Sequence, residues 1–301
     1  MPELPDVTVY CEALDRFAVG QRLEHIRLAS PFVLRSVSPP LSAVNDHEVL
    51  GIRRVGKRIV LEFENHLFLI IHLMVAGRLR WRPPLAKMPR KQGLAAFDFP
   101  DGTLLFTEAG TKKRASLHLV LGEEALREHD PGGLEVLESS LVDFHERLIS
   151  ENHTLKRSLT DPHLFSGIGN AYSDEILHAA RLSPMKWSTR LATDEVKKLF
   201  DAVQATLTLW IERLREELGE NFPEKVTAFR PEMAVHGKFA KPCPRCGSPV
   251  QRIVYAENQA NYCATCQTGG KLLKDRALSQ VLKDDWPKTI DGWEEMKGVG
   301  T

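Results

Sequence analysis

The stretch CPRCGSPVQRIVYAENQANYCATC, residues 243–266, places two C-x2-C turns sixteen residues apart. Each turn can aim two thiolates at one point, and the strand-like VQRIVY between them lets a hairpin bring the two pairs together. Four converging sulfurs form the tetrahedral set of a closed structural Zn²⁺ site, which accounts for this spacing better than redox thiols or unrelated cysteines. With Cys243, Cys246, Cys263 and Cys266 filling all positions, such a metal holds shape and does no chemistry. A ribbon of this kind could serve protein, RNA or DNA equally. The fifth cysteine, Cys11, sits in the helical pattern VTVYCEALDRF and reads as a small buried residue. Four of five cysteines in one cluster argue against a disulfide framework.

Toward the N-terminus, a looser run (GENFPEKVTAFRPEMAVHGKFAKP, 219–242) separates the cysteines from a long helical stripe of Val196, Phe200, Val203, Leu207, Trp210, Ile211, Leu214 and Leu218. Thr193, Asp194 and Glu195 stand at its start, where a hydroxyl and acids suit the exposed N–H groups. Further back, HLFSGIGNAYSDEILHAARL (163–182) sets Gly167 and Gly169 just before a helix. Backbone N–H groups approached across two glycines suit a phosphate oxygen, with Asn170 adding an amide donor; an ordinary capped loop has the same pattern. Leu141, Phe144, Leu148 and Ile149 predict another helical stripe.

Before HDPGGLE (129–135) the period changes to two. RIVLEF alternates Ile59, Leu61 and Phe63, HLFLIIHLMV is a buried run, and FDFPDGTLLF carries a Pro-Asp-Gly turn, so an antiparallel β sandwich is expected. It follows a helix over residues 6–19, with Val9, Ala13, Leu14 and Phe17 inward and Gly20 as its stop. The fold class expected is α+β and multidomain. The boundaries read as a β sandwich over 1–125, a helical domain over 135–235, the zinc finger over 236–266 and a mixed-charge extension over 267–301, with a short helix near Ala277 to Leu282.

Forty basic and forty acidic residues cancel, so any nucleic-acid surface must be a local patch: RRVGKR at 53–58, KKR at 112–114 or the run from Lys238 to Arg252. No segment approaches the roughly 18 apolar residues of a membrane span, and no basic leader precedes an apolar run. The protein is expected to work in the cytoplasm, without a membrane partner.

The chain opens MPELPD. An aminopeptidase usually removes an initiator Met before a small residue, which would leave Pro2 with a free secondary amine. Taken with GKRIVLEF, HLMVAGRL, GIGNAYSDEIL and the four-cysteine finger, in that order, this opening resembles the formamidopyrimidine-DNA glycosylase and endonuclease VIII family over residues 2–266. The resemblance implies a β sandwich, a helical domain with a helix-two-turn-helix, the zinc finger, and damaged DNA as the partner of a monomeric, nucleoid-associated base-excision repair enzyme. It implies that Pro2 is the nucleophile of a bifunctional glycosylase and abasic-site lyase and that Glu3 is its general acid/base. It also implies that Lys57, His72 and Asn170 clamp the phosphate beside a flipped nucleotide, and that Lys156 faces DNA. Glu175 reads as structural support.

Three departures accompany it. Asp6 stands where the family has Glu. Asn258 occupies the finger's usual arginine position, exchanging two charge-assisted bonds for a neutral amide at a cost of roughly 1–3 kcal/mol unless Arg252 or Lys271 compensates. Val75 replaces the wedge methionine, and FTEAGTKKRASL replaces the loop with the wedge Arg-Phe pair. A preference for single-stranded or already distorted DNA is therefore expected, since less unstacking is needed there. The alternative is a catalytically weakened DNA-damage binding protein with the same fold.

Overall fold

The computed structural model describes residues 1–224, 226, 227, 229–255, 258–274, 287–290 and 292, with the backbone alone at Tyr255 and Asn258. The expected helix at 277–282 lies outside the described residues. The chain forms two compact units: Met1–Gly132 joined by Leu209–Ala228, and Gly133–Thr208 joined by Phe229–Thr301.

The first unit begins with α1 (Leu4–Ala18), which starts two residues earlier than its apolar spacing suggests because Pro5 is tolerated in a first helical turn. A five-stranded antiparallel sheet follows the order β1 (Arg22–Leu23), β3 (His47–Val55), β4 (Arg58–Phe63), β5 (Leu67–His72), β9 (Ser116–Leu121). A four-stranded sheet follows the order β2 (His25–Leu28), β7 (Gly93–Phe99), β8 (Gly102–Glu108), β6 (Gly77–Arg82). Alternation sends Ile59, Leu61 and Phe63 of β4 into one core with Phe97, Phe99, Leu104 and Phe106 of the other sheet and Val7, Tyr10 and Leu14 of α1. Val60 is buried on the opposite face, with Phe68, Ile70 and Leu126, the last from the short helix α2 (Glu123–Arg127).

The stretch 209–228 joins this unit because Phe222 is an aromatic anchor. Its ring lies 5.9 Å from Tyr10, 5.8 Å from Phe17 and 6.3 Å from Trp81, and Glu224 pairs with Arg82. Three ring contacts fix a loop that carries no secondary-structure signal of its own.

The second unit holds α3 (Leu141–Ile149), α4 (Leu155–Thr160), α5 (Asn170–Ala180), the first part of α6 (Thr193–Leu218), the hairpin of β10 (Val250–Tyr255) and β11 (Asn258–Cys263), and α7 (Ala264–Thr268). The α3 stripe differs from expectation. Phe144 and Leu148 are fully buried, whereas Leu141 and Ile149 are 36% and 41% exposed, because only the i, i+4 pair of this nine-residue helix faces inward. In α6, Val196, Val203, Leu207, Trp210, Ile211 and Leu214 are buried as the spacing predicts.

Candidate active site

In the first unit the N-terminal residues are pulled inward. Pro2 and Glu3 are buried, and Glu3 caps α1: its backbone N–H donates to Asp6 Oδ2 at 3.0 Å, and its side chain accepts from the Asp6 N–H. Asp6 thus has a defined task despite being shorter than the family's Glu. The amine at the head of the chain has its pKa lowered, first by burial; Glu3 and Asp6 pull it up, while Arg78 and Lys57 push it down. That amine belongs to Met1, one residue before Pro2, and is within electrostatic reach of Glu3, Arg78 and Lys57. Lys57 sits in the turn between β3 and β4. Arg78, on β6, carried no role in the sequence; the signal available was its place in the quoted HLMVAGRL. Its guanidinium donates to the Gly77 carbonyl at 2.6 Å.

His72 ends β5, its backbone paired across the ladder with Arg58. Burial, followed by the charges of Arg58, Lys57 and His118, holds its imidazole at a pKa of about 4. At neutral pH it is an uncharged ring with one N–H to donate, so it can hydrogen-bond a phosphate but adds no net charge.

In the second unit, Gly167 takes φ +75°, a conformation glycine adopts without strain, and the chain turns into α5 with Asn170 as its first, half-buried residue. Lys156 does not fit its expected DNA-facing place. Its ammonium points into the unit and donates to Asp174 Oδ1 at 2.5 Å, the Asn170 carbonyl at 2.6 Å and Ser173 Oγ at 2.8 Å, leaving the side chain 13% exposed. Three acceptors on one turn of α5 outcompete solvent for that charge.

Asp174 is the hub of this network and gave no sign of it in the sequence. Its Oδ2 also accepts from His236 Nδ1 at 2.8 Å and from Asn261 Nδ2 of β11 at 2.9 Å, tying α4, α5, the 229–241 loop and the finger hairpin together. Glu175 supports the same loop: its carboxylate accepts from the N–H groups of Ala234, Val235 and His236 at 2.8–2.9 Å. Asp174→Ala strands a buried ammonium, and the second unit is expected to lose about 3–5 kcal/mol of stability, read as a lower denaturant midpoint. An unchanged midpoint would show that Lys156 simply swings out to water.

The four finger cysteines converge, with all Sγ atoms within 4.8 Å of one another. Cys243 and Cys266 are 4.0 Å apart and Cys246 and Cys263 are 3.4 Å apart. A tetrahedron of Zn–S bonds near 2.3 Å spaces sulfurs by about 3.8 Å, so the residues fit a structural zinc. His178 Nε2 lies 3.3 Å from Cys243 Sγ, and Arg245 donates to the His178 carbonyl at 2.8 Å, an outer layer that orients the cluster against α5. Asn258 begins β11, with its backbone opposite Tyr255, and its side chain lies outside the described residues. Of the residues proposed to compensate for it, Arg252 stacks over Phe239 at 4.6 Å and is exposed.

Residues 1–131 match the formamidopyrimidine-DNA glycosylase N-terminal domain, 133–219 the formamidopyrimidine-DNA glycosylase H2TH domain, and 240–269 the zinc finger found in FPG and IleRS. A formamidopyrimidine-DNA glycosylase of Heliobacterium modesticaldum is 30% identical over 280 residues, covering 89% of this chain and all of that one. A structure of MutM in complex with carbocyclic 8-oxo-G containing DNA superposes with a TM-score of 0.78 at 26% identity, over 89% of this chain and all of that one. The Lactococcus lactis Fpg with abasic-site DNA gives 0.77 at 26%, over 88% of this chain and 99% of that one. The chain belongs to the formamidopyrimidine-DNA glycosylase and endonuclease VIII family of base-excision repair DNA glycosylases. Among the described residues, no helix is long and apolar enough to cross a membrane.

Proposed function

We propose that this chain excises damaged bases from DNA and cleaves the resulting abasic site, with Pro2 as nucleophile once Met1 is removed. The observation that carries this reading is that Pro2 and Glu3 are buried directly behind a half-buried Met1, whose amine feels the charges of Glu3, Arg78 and Lys57. A free α-amine ordinarily titrates near 7.7–8.0, against about 10.4 for lysine, and burial favours its neutral, nucleophilic form further.

In this reading the Pro2 lone pair attacks C1′, and the C1′–base bond breaks with its electron pair leaving on the base. The N–H proton passes to the departing base, Glu3 delivers a proton to the sugar ring oxygen as the ring C1′–O bond opens, and C1′ and nitrogen share an iminium. The iminium acidifies the C2′ proton; its removal expels the 3′ phosphate, and water then releases the amine. Lys57 as a charge, and His72 and Asn170 as neutral donors, would hold the phosphate beside the reacting sugar. The four cysteines would keep a zinc that shapes the finger. Lys156 belongs to the scaffold in this scheme, supporting the first turn of α5.

The partner proposed is DNA with a flipped or unstacked nucleotide, bound by a monomer in the cytoplasm. Val75 is 57% exposed and too short to wedge into a base stack. The 109–115 loop is held by Glu108, whose carboxylate accepts from the Arg114 and Ala115 N–H groups, and it displays Lys112, Lys113 and Arg114 without an aromatic. Strand cleavage of an abasic oligonucleotide should therefore proceed at similar rates in single-stranded and duplex form. Duplex cleavage more than about tenfold faster would mean that the opposite strand is gripped by other groups. Binding without cleavage of either would favour the weakened binding protein that Asn258 suggests.

A further inference from the structure

The outer face of the five-stranded sheet carries basic groups that the proposed chemistry leaves unused. Cross-strand pairing sets Arg58 of β4 opposite His72 of β5, and His72 opposite Ser116 of β9. Side chains alternate along a strand, so His118, two residues after Ser116, shares that face. Beyond α2 the chain returns over it: the His129 ring packs edge-on against His118 with centroids 4.6 Å apart, and Pro131 reaches to 3.9 Å from where a Cβ on Gly56 would lie. Arg58, His72, His118 and His129 are all half-buried.

Among the described residues the Arg58 guanidinium makes no hydrogen bond or ion pair. The acid it feels is Asp130, whose Oδ1 is already taken by the Gly132 N–H at 2.9 Å. Its donors are thus open to a ligand, and the neighbouring imidazoles, uncharged at neutral pH, add N–H donors without adding charge. A metal ion does not suit the place, because these ring nitrogens do not gather into a ligand set among the described residues and Arg58 would repel it. An oxyanion suits it, since a guanidinium fork and imidazole N–H groups are both donors to oxygen.

We infer that Arg58, His118 and His129, beside His72, form a second anion subsite that seats a DNA backbone phosphodiester. This rests on the proposed action on DNA. It extends the basic surface from the Lys57 turn across the sheet face and adds local attraction in a chain of zero net charge.

The subsite couples to protons. Burial, followed by His129, Arg58 and Arg35, holds free His118 at about 4, and burial followed by Arg58 lowers His129, against an upward pull from Glu128. His72 feels burial, then Arg58, Lys57 and His118. A seated phosphate raises these values, so the extra affinity is complete below the free pKa near 4 and fades as pH climbs through the raised, bound value.

The test is fluorescence anisotropy with a labelled undamaged duplex from 50 to 200 mM salt, using the zinc-loaded full chain. Arg58→Gln should reduce the slope of log affinity against log salt by about 0.9, which shrinks the loss over that range about 3.5-fold; Arg58→Lys should keep most of the slope. Wild-type affinity should rise from pH 7.5 to pH 5.5, and His118→Asn with His129→Asn should flatten that rise. Wild-type slopes in Arg58→Gln, with Arg58→Lys confirming the fold, would overturn the subsite. In a second arm, inorganic phosphate alone should shift the His118 and His129 imidazole resonances of the wild type, and the duplex should displace it. Phosphate that binds but is not displaced would assign the subsite to free phosphate and overturn the DNA reading. A slope change in a protein that forms no covalent adduct at an abasic site would support the subsite while sinking the proposed catalysis.

Discussion

Replacing Pro2 with glutamine is expected to abolish cleavage at an abasic site, by at least about 10³-fold, while leaving DNA binding largely intact. Glutamine at position 2 blocks removal of Met1, so the residue 2 nitrogen becomes an amide with no lone pair to give. The chain still ends in an amine, but that amine lies one residue further out, about 3.8 Å along the backbone. Misplacement by about 1 Å can already cost about 10²-fold, so the terminal amine of Met1 is a poor substitute. Met1 is half-buried and Pro2, Glu3 and Asp6 behind it are buried, which leaves little room for the chain to slide into register. The check is strand cleavage of a labelled abasic oligonucleotide beside anisotropy with the same probe. Cleavage that survives in a protein shown by mass to keep Met1 would place the nucleophile elsewhere.

The second large effect concerns Glu3. Glu3→Gln preserves size and the oxygen that caps α1, so the fold should hold, but it removes the transferable proton. Loss of a positioned acid typically costs about 10²–10⁴-fold. Base excision should fall by that range on whichever oxidised purine or pyrimidine the wild type cuts. A preformed abasic sugar is a hemiacetal that opens to its aldehyde without Glu3, so its trapping should fall much less. Equal losses on both substrates would make Glu3 a structural cap and nothing more.

Much of this was legible in the chain before its coordinates. The sandwich followed from period-two alternation, as in Ile59, Leu61 and Phe63, and the finger from paired C-x2-C turns; both patterns are local and repeat a single geometric rule. The second unit was less legible because its organising contacts are long-range. Asp174 touches Lys156, His236 and Asn261, residues 18, 62 and 87 positions away, and no local pattern marks a carboxylate for that work. The inward contacts of Lys156, which the family resemblance sets facing DNA, were illegible for the same reason: nothing local marks three acceptors on α5 for its ammonium. Phe222 and Arg78 were likewise silent, one an anchor inside an irregular loop and the other a strand residue whose importance comes from what lies beside it. In α3 the expected stripe was too wide, since two of its four apolar residues sit at helix ends that the core does not reach.

The most direct measurement is borohydride trapping on a single-site abasic oligonucleotide with the processed, zinc-loaded protein, followed by mass mapping of the adduct. A reduced sugar on the nitrogen of Pro2 is the predicted result, and it joins the buried terminus to its chemistry in one observation. An adduct on Lys57 or another lysine, or none at all, would contradict the account and leave the fold as a scaffold for binding damaged DNA.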